Sequence, residues 1–215
     1  MAFTFNLSLT QDDWAQPQDG YRFSRDSILL AALAPPFQGV RLACDLGAGC
    51  GVVGLEALVN GNYPSLKTLF LVEKDRSFLP FLESNIERAR ALMEKPPDIK
   101  ILLKDWCNLS PADFGGPLDY LTSNPPYFDL ISARPSRHGD LARRASGNKL
   151  ADFVACAQRI MAPMGIFTLS FPKRRYYELV KLLSLGFRTL KIDYPPRRRS
   201  SLALITLQKT CSCSQ

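Results

Sequence analysis

Short apolar runs that alternate with helical segments restrict this chain more than any other feature. "VRLACDLG" (40–47) reads as a strand that ends in glycine, and "CGVVGLEALVNG" follows as a helix stopped by Asn60 and Gly61. "LKTLFLVEK" (66–74) reads as the next strand. After it, Phe78, Phe81, Leu82, Ile86, Ala89 and Leu92 recur at helical spacing until Pro96 and Pro97 stop the helix. "DIKILLKD" and "LDYLTS" supply two more strands. "KLADFVACAQRIM" is helical, "GIFTLSF" a strand, "RRYYELVKLLSLG" helical, and "FRTLKIDY" with "SSLALITLQ" forms a closing antiparallel strand pair. Strands separated by helices predict an α/β fold of the Rossmann type: one mostly parallel sheet of about seven strands with helices on both faces.

In such a sheet ligands bind beyond the carboxyl ends of the strands, so the strand ends are where function is read. The first ends "DLGAGCG", where Asp45 precedes Gly47, Gly49 and Gly51, glycines that let the backbone turn tightly and approach a ligand at a helix N-terminus. The dinucleotide fingerprint G-x-G-x-x-G is missed because Val52 stands at the third glycine position, which favours a cofactor without a pyrophosphate. The second strand ends at Glu73, 26 residues beyond Gly47, placed to accept the hydroxyl protons of a ribose. The third ends at Asp105, where a carboxylate can accept from an adenine amino group. The fourth ends in "SNPPYF", Ser123 to Phe128. Its two prolines have no N–H and a fixed φ, so the chain must leave its strand there. Each acid taken singly also reads as an ordinary capping residue. Four such ends in succession over one sheet edge read as a site.

These motifs, "DLGAGCG", "VEK", "KDW" and "NPPY" in that order, resemble the class I S-adenosylmethionine-dependent methyltransferases, in the branch that methylates exocyclic amino groups. With the upstream "YRFSRDSILLAALA" (21–34), "SNPPYF" is similar to the family of bacterial tRNA adenine-N6 methyltransferases that modify the adenine beside the anticodon of a valine tRNA. The resemblance spans roughly residues 20–208. It implies S-adenosyl-L-methionine as cofactor. Asp45 with Gly47, Gly49 and Gly51 would lie along its methionine side, Glu73 would hold the ribose, Asp105 the adenine, and Arg22 with Asp26 the amino-acid end. Relatives often carry Ala-Arg-His-Glu after the corner, whereas Arg144 and Ala145 stand in the last two of those places here.

The corner suits that chemistry. An adenine N6 lone pair is delocalised into the ring, so the nitrogen must become more tetrahedral before it attacks a methyl group. The Asn124 side-chain oxygen and the Pro125 carbonyl can grip its two N–H bonds, with Pro126 keeping the corner rigid. Tyr127 and Phe128 can stack on a base swung out of its helix.

Charge divides the chain at Leu130. Residues 131–215 carry sixteen Lys/Arg against four Asp/Glu, and residues 1–130 carry eleven against sixteen, so the net charge of +7 belongs to the second half. The basic residues cluster as Arg134, Arg137, Arg143 and Arg144, as Lys173, Arg174 and Arg175, and as Arg197, Arg198 and Arg199, near Tyr176, Tyr177 and Tyr194. Such clusters are the footprint of a polyanion, usually nucleic acid, or else a solvated face; the resemblance implies that the partner is RNA, above all tRNA.

Residues 1–20 read as an N-terminal extension, 21–208 as one methyltransferase domain and 209–215 as a loose tail. The start lacks a signal-peptide pattern and no run approaches the ~20 apolar residues of a membrane helix, which predicts a soluble, cytoplasmic protein. Six scattered cysteines read as reduced thiols. Cys211 and Cys213 could hold a metal or form a redox pair, but with one histidine, His138, no metal site is expected. The alternatives in function are a ribosomal RNA amino-methyltransferase, a protein glutamine N5-methyltransferase, and an RNA-binding module with a vestigial cofactor pocket.

The double substitution Arg197→Ala, Arg198→Ala is expected to weaken RNA binding and flatten its salt dependence while sparing cofactor affinity. A salt titration of RNA binding checks this; unchanged RNA affinity places the RNA on another face.

Overall fold

The computed structural model describes residues 13–18, 23, 25–34, 39–61, 64–125, 149–184, 186–194 and 201–211. The strands are β1 (Leu42–Leu46), β2 (Thr68–Glu73), β3 (Asp98–Leu103), β4 (Leu118–Ser123), β5 (Met161–Pro172), β6 (Phe187–Asp193) and β7 (Leu202–Lys209). They form one seven-stranded sheet in the order β3-β2-β1-β4-β5-β7-β6. β1 pairs in parallel with β2 and β4, β2 with β3, and β4 with β5. β7 alone is antiparallel, wedged between β5 and β6. The carboxyl ends of the other six strands therefore share one edge.

The expected parallel sheet with a closing antiparallel pair is thus observed, and its helices cover both faces. Alternate residues of the strands point to opposite sides. Ala43, Leu69, Leu71 and Tyr120 join one core with α1 (Arg25–Leu33), α2 (Val52–Val59) and α3 (Leu79–Ala91). Cys44, Phe70, Val72, Leu121, Phe167 and Leu169 join the other with α4 (Lys149–Ile160) and α5 (Tyr176–Leu183). β1, β2, β4, β5 and β7 are mostly buried on both sides, which is why they read as continuous apolar runs, whereas the edge strands β3 and β6 are partly exposed. Leu150, Phe153, Val154, Ala157 and Ile160 give α4 a single apolar stripe at helical spacing.

The structure differs from the sequence reading at several points. α1 lies in "YRFSRDSILLAALA", a segment that carried a motif but no assigned element. β5 starts at Met161 rather than near Gly165, crossing an irregularity where its register with β4 shifts between Leu118 and Tyr120 and where Met164 adopts a φ of 63°. Of residues 1–20, expected to form an N-terminal extension, those at 14 and 15 contact the sheet's helices. Trp14 is buried in the first core and donates its indole N–H to Glu56 Oε2 at 3.0 Å. Ala15 is held through both its N–H and its carbonyl by the Asn85 amide, which also donates to the Cys50 carbonyl at 2.8 Å. At the other end, β7 takes in Lys209, and the Thr210 N–H reaches the Gly186 carbonyl, so the sheet runs past the expected boundary at 208.

Gly51 enters α2 with a φ of 79°, and a Cβ there would lie 3.0 Å from Leu82 Cδ2. Gly51→Ala combines left-handed strain with crowding of a packed leucine, and is expected to lower unfolding stability by about 2 kcal/mol. The urea midpoint measures it.

Candidate active site

The site forms where β1, β2 and β4 end together. Gly47 (φ 71°) and Gly49 (φ 54°) turn the chain out of β1 in a conformation that side chains disfavour. The turn is tied down across the sheet edge: the N–H groups of Gly47 and Ala48 both donate to the Val72 carbonyl, at 2.9 and 2.8 Å. Glu73 completes the tie. Its Oε2 accepts from the Gly49 N–H at 2.9 Å, and its Oε1 accepts from the N–H groups of Lys74 and Asp75 at 2.8 and 2.9 Å. Three of the roughly four acceptor positions of a carboxylate are thereby used, which leaves one on Oε2.

The corner after β4 is fixed from three sides. Ser123 Oγ donates to the Leu46 carbonyl at 2.7 Å, joining the ends of β4 and β1. Asn124 Nδ2 donates to Ser27 Oγ of α1 at 2.7 Å, and Asn124 Oδ1 accepts from Ser170 Oγ of β5 at 2.6 Å. Ser27 and Ser170 are both buried. Below them on the same face, Tyr120 OH meets Thr168 Oγ1, which donates to Thr122 Oγ1 at 3.2 Å. The amide is thus held in one orientation by hydroxyls.

Between the glycine turn and this corner lies a cleft of about 250 Å³, lined by Gly47, Gly49, Glu73, Phe78, Trp106 and Asn124, with Val72, Lys74, Lys104 and Asp75 completing its wall. A Cβ at Gly47 would lie 3.8 Å from the Trp106 ring and one at Gly49 4.0 Å from Phe78, so bare backbone faces each aromatic wall. Lys74 Nζ sits 5.7 Å over the Trp106 ring, and Lys104 Nζ pairs with Asp113 Oδ1 at 2.7 Å, which holds the Asp113 carboxyl below its ordinary range.

The structure therefore brings Gly47, Gly49, Glu73 and Asn124 together around one cleft. Four other expected cofactor residues, Asp26, Asp45, Gly51 and Asp105, stand outside its lining. Asp45 lies beneath the turn, 1% exposed, with Oδ2 accepting from the Gly54 N–H at 2.9 Å and Oδ1 buried without a hydrogen-bond partner. Gly51 is packed against Leu82, Leu55 and Leu71. Asp105 caps the 3-10 turn Trp106–Asn108, accepting from the Cys107 N–H at 2.9 Å. Its neighbours Lys104 and Trp106 line the cleft instead. Asp26 lies in the first turn of α1, beside Ser27. Arg22, Pro126, Tyr127, Phe128, Arg134, Arg137, Arg143, Arg144, Arg197, Arg198 and Arg199 lie outside the described residues. Among the described residues, no cluster of His, Cys, Asp and Glu could hold a metal ion, and no helix is long and apolar enough to cross a membrane.

No family model matches the chain. Over 185 residues it is 25% identical to a tRNA1(Val) (adenine(37)-N6)-methyltransferase of Shewanella putrefaciens, covering 86% of this chain and 72% of that protein. It is 24% identical over 213 residues to the protein of the same name from Tolumonas auensis, covering 97% and 83%. Among solved structures, a predicted O-methyltransferase from Agrobacterium tumefaciens superposes with a TM-score of 0.63 at 21% identity, over 86% of this chain and 81% of that one. The fold is that of the class I methyltransferases. Within that fold, the cleft of this chain opens at the carboxyl edge of β1, β2 and β4, which is the edge the strand-end motifs marked.

Burial pushes the Asp45 carboxyl up to about 7; the Gly54 N–H opposes the rise, and the negative charge of Glu73 adds to it. The folded protein thus keeps a proton that the unfolded chain releases near pH 4. Stability is expected to fall as pH rises from about 4 to about 7, with a slope of up to about 1.4 kcal/mol per pH unit from this group. Asp45→Asn, which keeps an acceptor for Gly54, is expected to flatten that slope in urea midpoints taken across this range.

Proposed function

We propose that the chain transfers a methyl group from S-adenosyl-L-methionine to an exocyclic amino group of RNA, adenine N6 of a tRNA. The observation that carries this reading is the Asn124 amide, clamped between Ser27 and Ser170 at the wall of a cleft whose other walls suit a nucleoside. The names of its curated relatives supply the same reaction.

The chain's residues fit the cofactor on the features the cleft itself presents. Gly47 and Gly49 offer backbone without side chains, Phe78 and Trp106 offer flat apolar walls, and Glu73 Oε2 has an acceptor position left for a ribose hydroxyl. When bound, the cofactor supplies an electrophilic methyl group on a sulfonium. Asp45 contributes by shaping the helix entry through Gly54 rather than by touching a ligand.

On the substrate side, the Asn124 side-chain oxygen accepts one amino N–H, and the Pro125 carbonyl accepts the other. Two acceptors in fixed positions turn the nitrogen lone pair toward the cleft and hold it there, which removes rotational freedom before the displacement. No strong base is needed: the amino proton becomes acidic as the nitrogen gains its fourth bond, and it leaves through the carbonyls to water. Tyr127 and Phe128 supply the stacking surface for the base. Lys173 and Arg174, on the turn that leaves β5, together with Arg134, Arg137, Arg143, Arg144, Arg197, Arg198 and Arg199, meet the phosphates.

The test is incubation with labelled S-adenosylmethionine and separate pools of tRNA, ribosomal RNA, DNA and protein release factors, followed by identification of the labelled product. N6-methyladenine in tRNA is expected, with turnover reduced at least about 100-fold in Asn124→Ala. Label in protein, or a fully active Asn124→Ala, overturns the assignment.

A further inference from the structure

The sheet edge continues past the cleft into a surface that the methyl-transfer chemistry does not use. β5 passes Ser170, the partner of Asn124, and ends at Pro172; the 3-10 turn Lys173–Arg175 and then α5 begin at once. Three residues of extended chain place Lys173 about 10 Å from the Asn124 contact. β6 runs in the same direction as β5, because both are antiparallel to β7, so Tyr194 at its end arrives at the same edge. Lys173 links the two. Its N–H donates to the Ser201 carbonyl at 2.8 Å, and its Nζ lies 4.9 Å from the centre of the Tyr194 ring.

The orientation of α5 is set by Leu179 and Leu183, which are buried in the second core. The opposite side carries Tyr177 and Lys181, four residues apart and both exposed, with Arg174 exposed on the preceding turn. Tyr177 is 81% exposed and Tyr194 60% exposed, whereas their neighbour Tyr176 packs against the core. Rings this open add little to the fold. Arg175 and Glu178 neutralise each other through a two-pronged ion pair, and the exposed Arg174 and Lys181 beside it add positive charge to the surface.

Aromatic faces between cations suit one partner chemistry: bases that are not paired, joined by phosphates. A paired base hides its faces in the helix, and an anionic protein loop has no use for two flat rings. We propose that Tyr177 and Tyr194 are stacking seats for unpaired bases flanking the target nucleotide, with Lys173 and Arg174 taking the phosphates between them. This rests on the reading of the substrate as RNA, and adds the side chains that hold the flanking nucleotides along the β5–β6 side of the edge.

Two fluorescent probes test it, an RNA stem–loop with an unpaired loop and a blunt RNA duplex of the same length, with cofactor binding by calorimetry as the control for folding. The wild type is expected to prefer the stem–loop. Tyr177→Ala and Tyr194→Ala should each weaken stem–loop binding about tenfold and leave duplex binding within about twofold, while Tyr177→Phe and Tyr194→Phe keep wild-type affinity. Lys173→Gln with Arg174→Gln should weaken both probes and flatten their salt dependence. The proposal is overturned if the alanine variants bind the stem–loop as the wild type does, or if phenylalanine costs as much as alanine. If those variants keep full affinity while the wild type methylates RNA, only this inference falls; if the wild type binds neither probe, the RNA reading falls with it.

Discussion

A parallel sheet leaves the backbone groups at its carboxyl edge without ladder partners, and in this chain the polar residues at the strand ends supply them. Glu73 closes two loops at once, taking N–H groups from the turn after β1 and from the turn after β2. Asp105 caps the turn after β3. Ser123 joins the end of β4 to that of β1, and Asn124 is held by β5 and α1. Reading these residues as caps or as ligand-binding groups therefore poses a false choice. The capping bonds fix where each side chain stands, and the acceptor positions left over are what a ligand can meet. A side chain held by buried donors loses less freedom on binding than one that must first be ordered.

The order of elements was legible because burial on both faces writes continuous apolar strands, and one-sided burial writes the stripe of α4. What stayed hidden depends on contacts between distant parts of the chain. Ser27 and Ser170 stand 97 and 46 residues from Asn124, and nothing local marks a serine in α1 or β5 as a clamp for an amide. Sequence motifs also drew attention to acids. "KDW" points to Asp105, yet the cleft is walled by Lys104 and Trp106 from the same triplet, since which neighbour faces inward is decided by how the chain turns after the strand; in "VEK" the expected Glu73 does line the cleft, beside Lys74. The early start of β5 was masked by Pro163 and Gly165, residues that ordinarily punctuate a strand. The place of β7 between β5 and β6 could not be read from an adjacent strand pair, because either order satisfies the same pattern.

The division of charge along the sequence becomes a division of labour along one edge. The half with more acids contributes β1 to β4 and the cleft; the basic half contributes β5 to β7 and the surface beyond it. β4 and β5 are neighbours, so the Asn124–Ser170 bond is also the seam where the two halves meet. A polyanion drawn to one side of that seam is delivered to the amide that stands on it.

The position of β7 also sets a timetable. β1 to β5 each find their sheet neighbour among strands made before or soon after them, so most of the sheet can assemble as the chain is synthesised. β6 cannot: its only strand partner is β7, which follows it. The contact between Lys173 and Tyr194 waits on the same event, because it needs β6 in place. A nascent chain halted before residue 202 could thus shape the cleft yet lack the far side of the sheet, and the last strand to be made is the one that completes the edge beyond it.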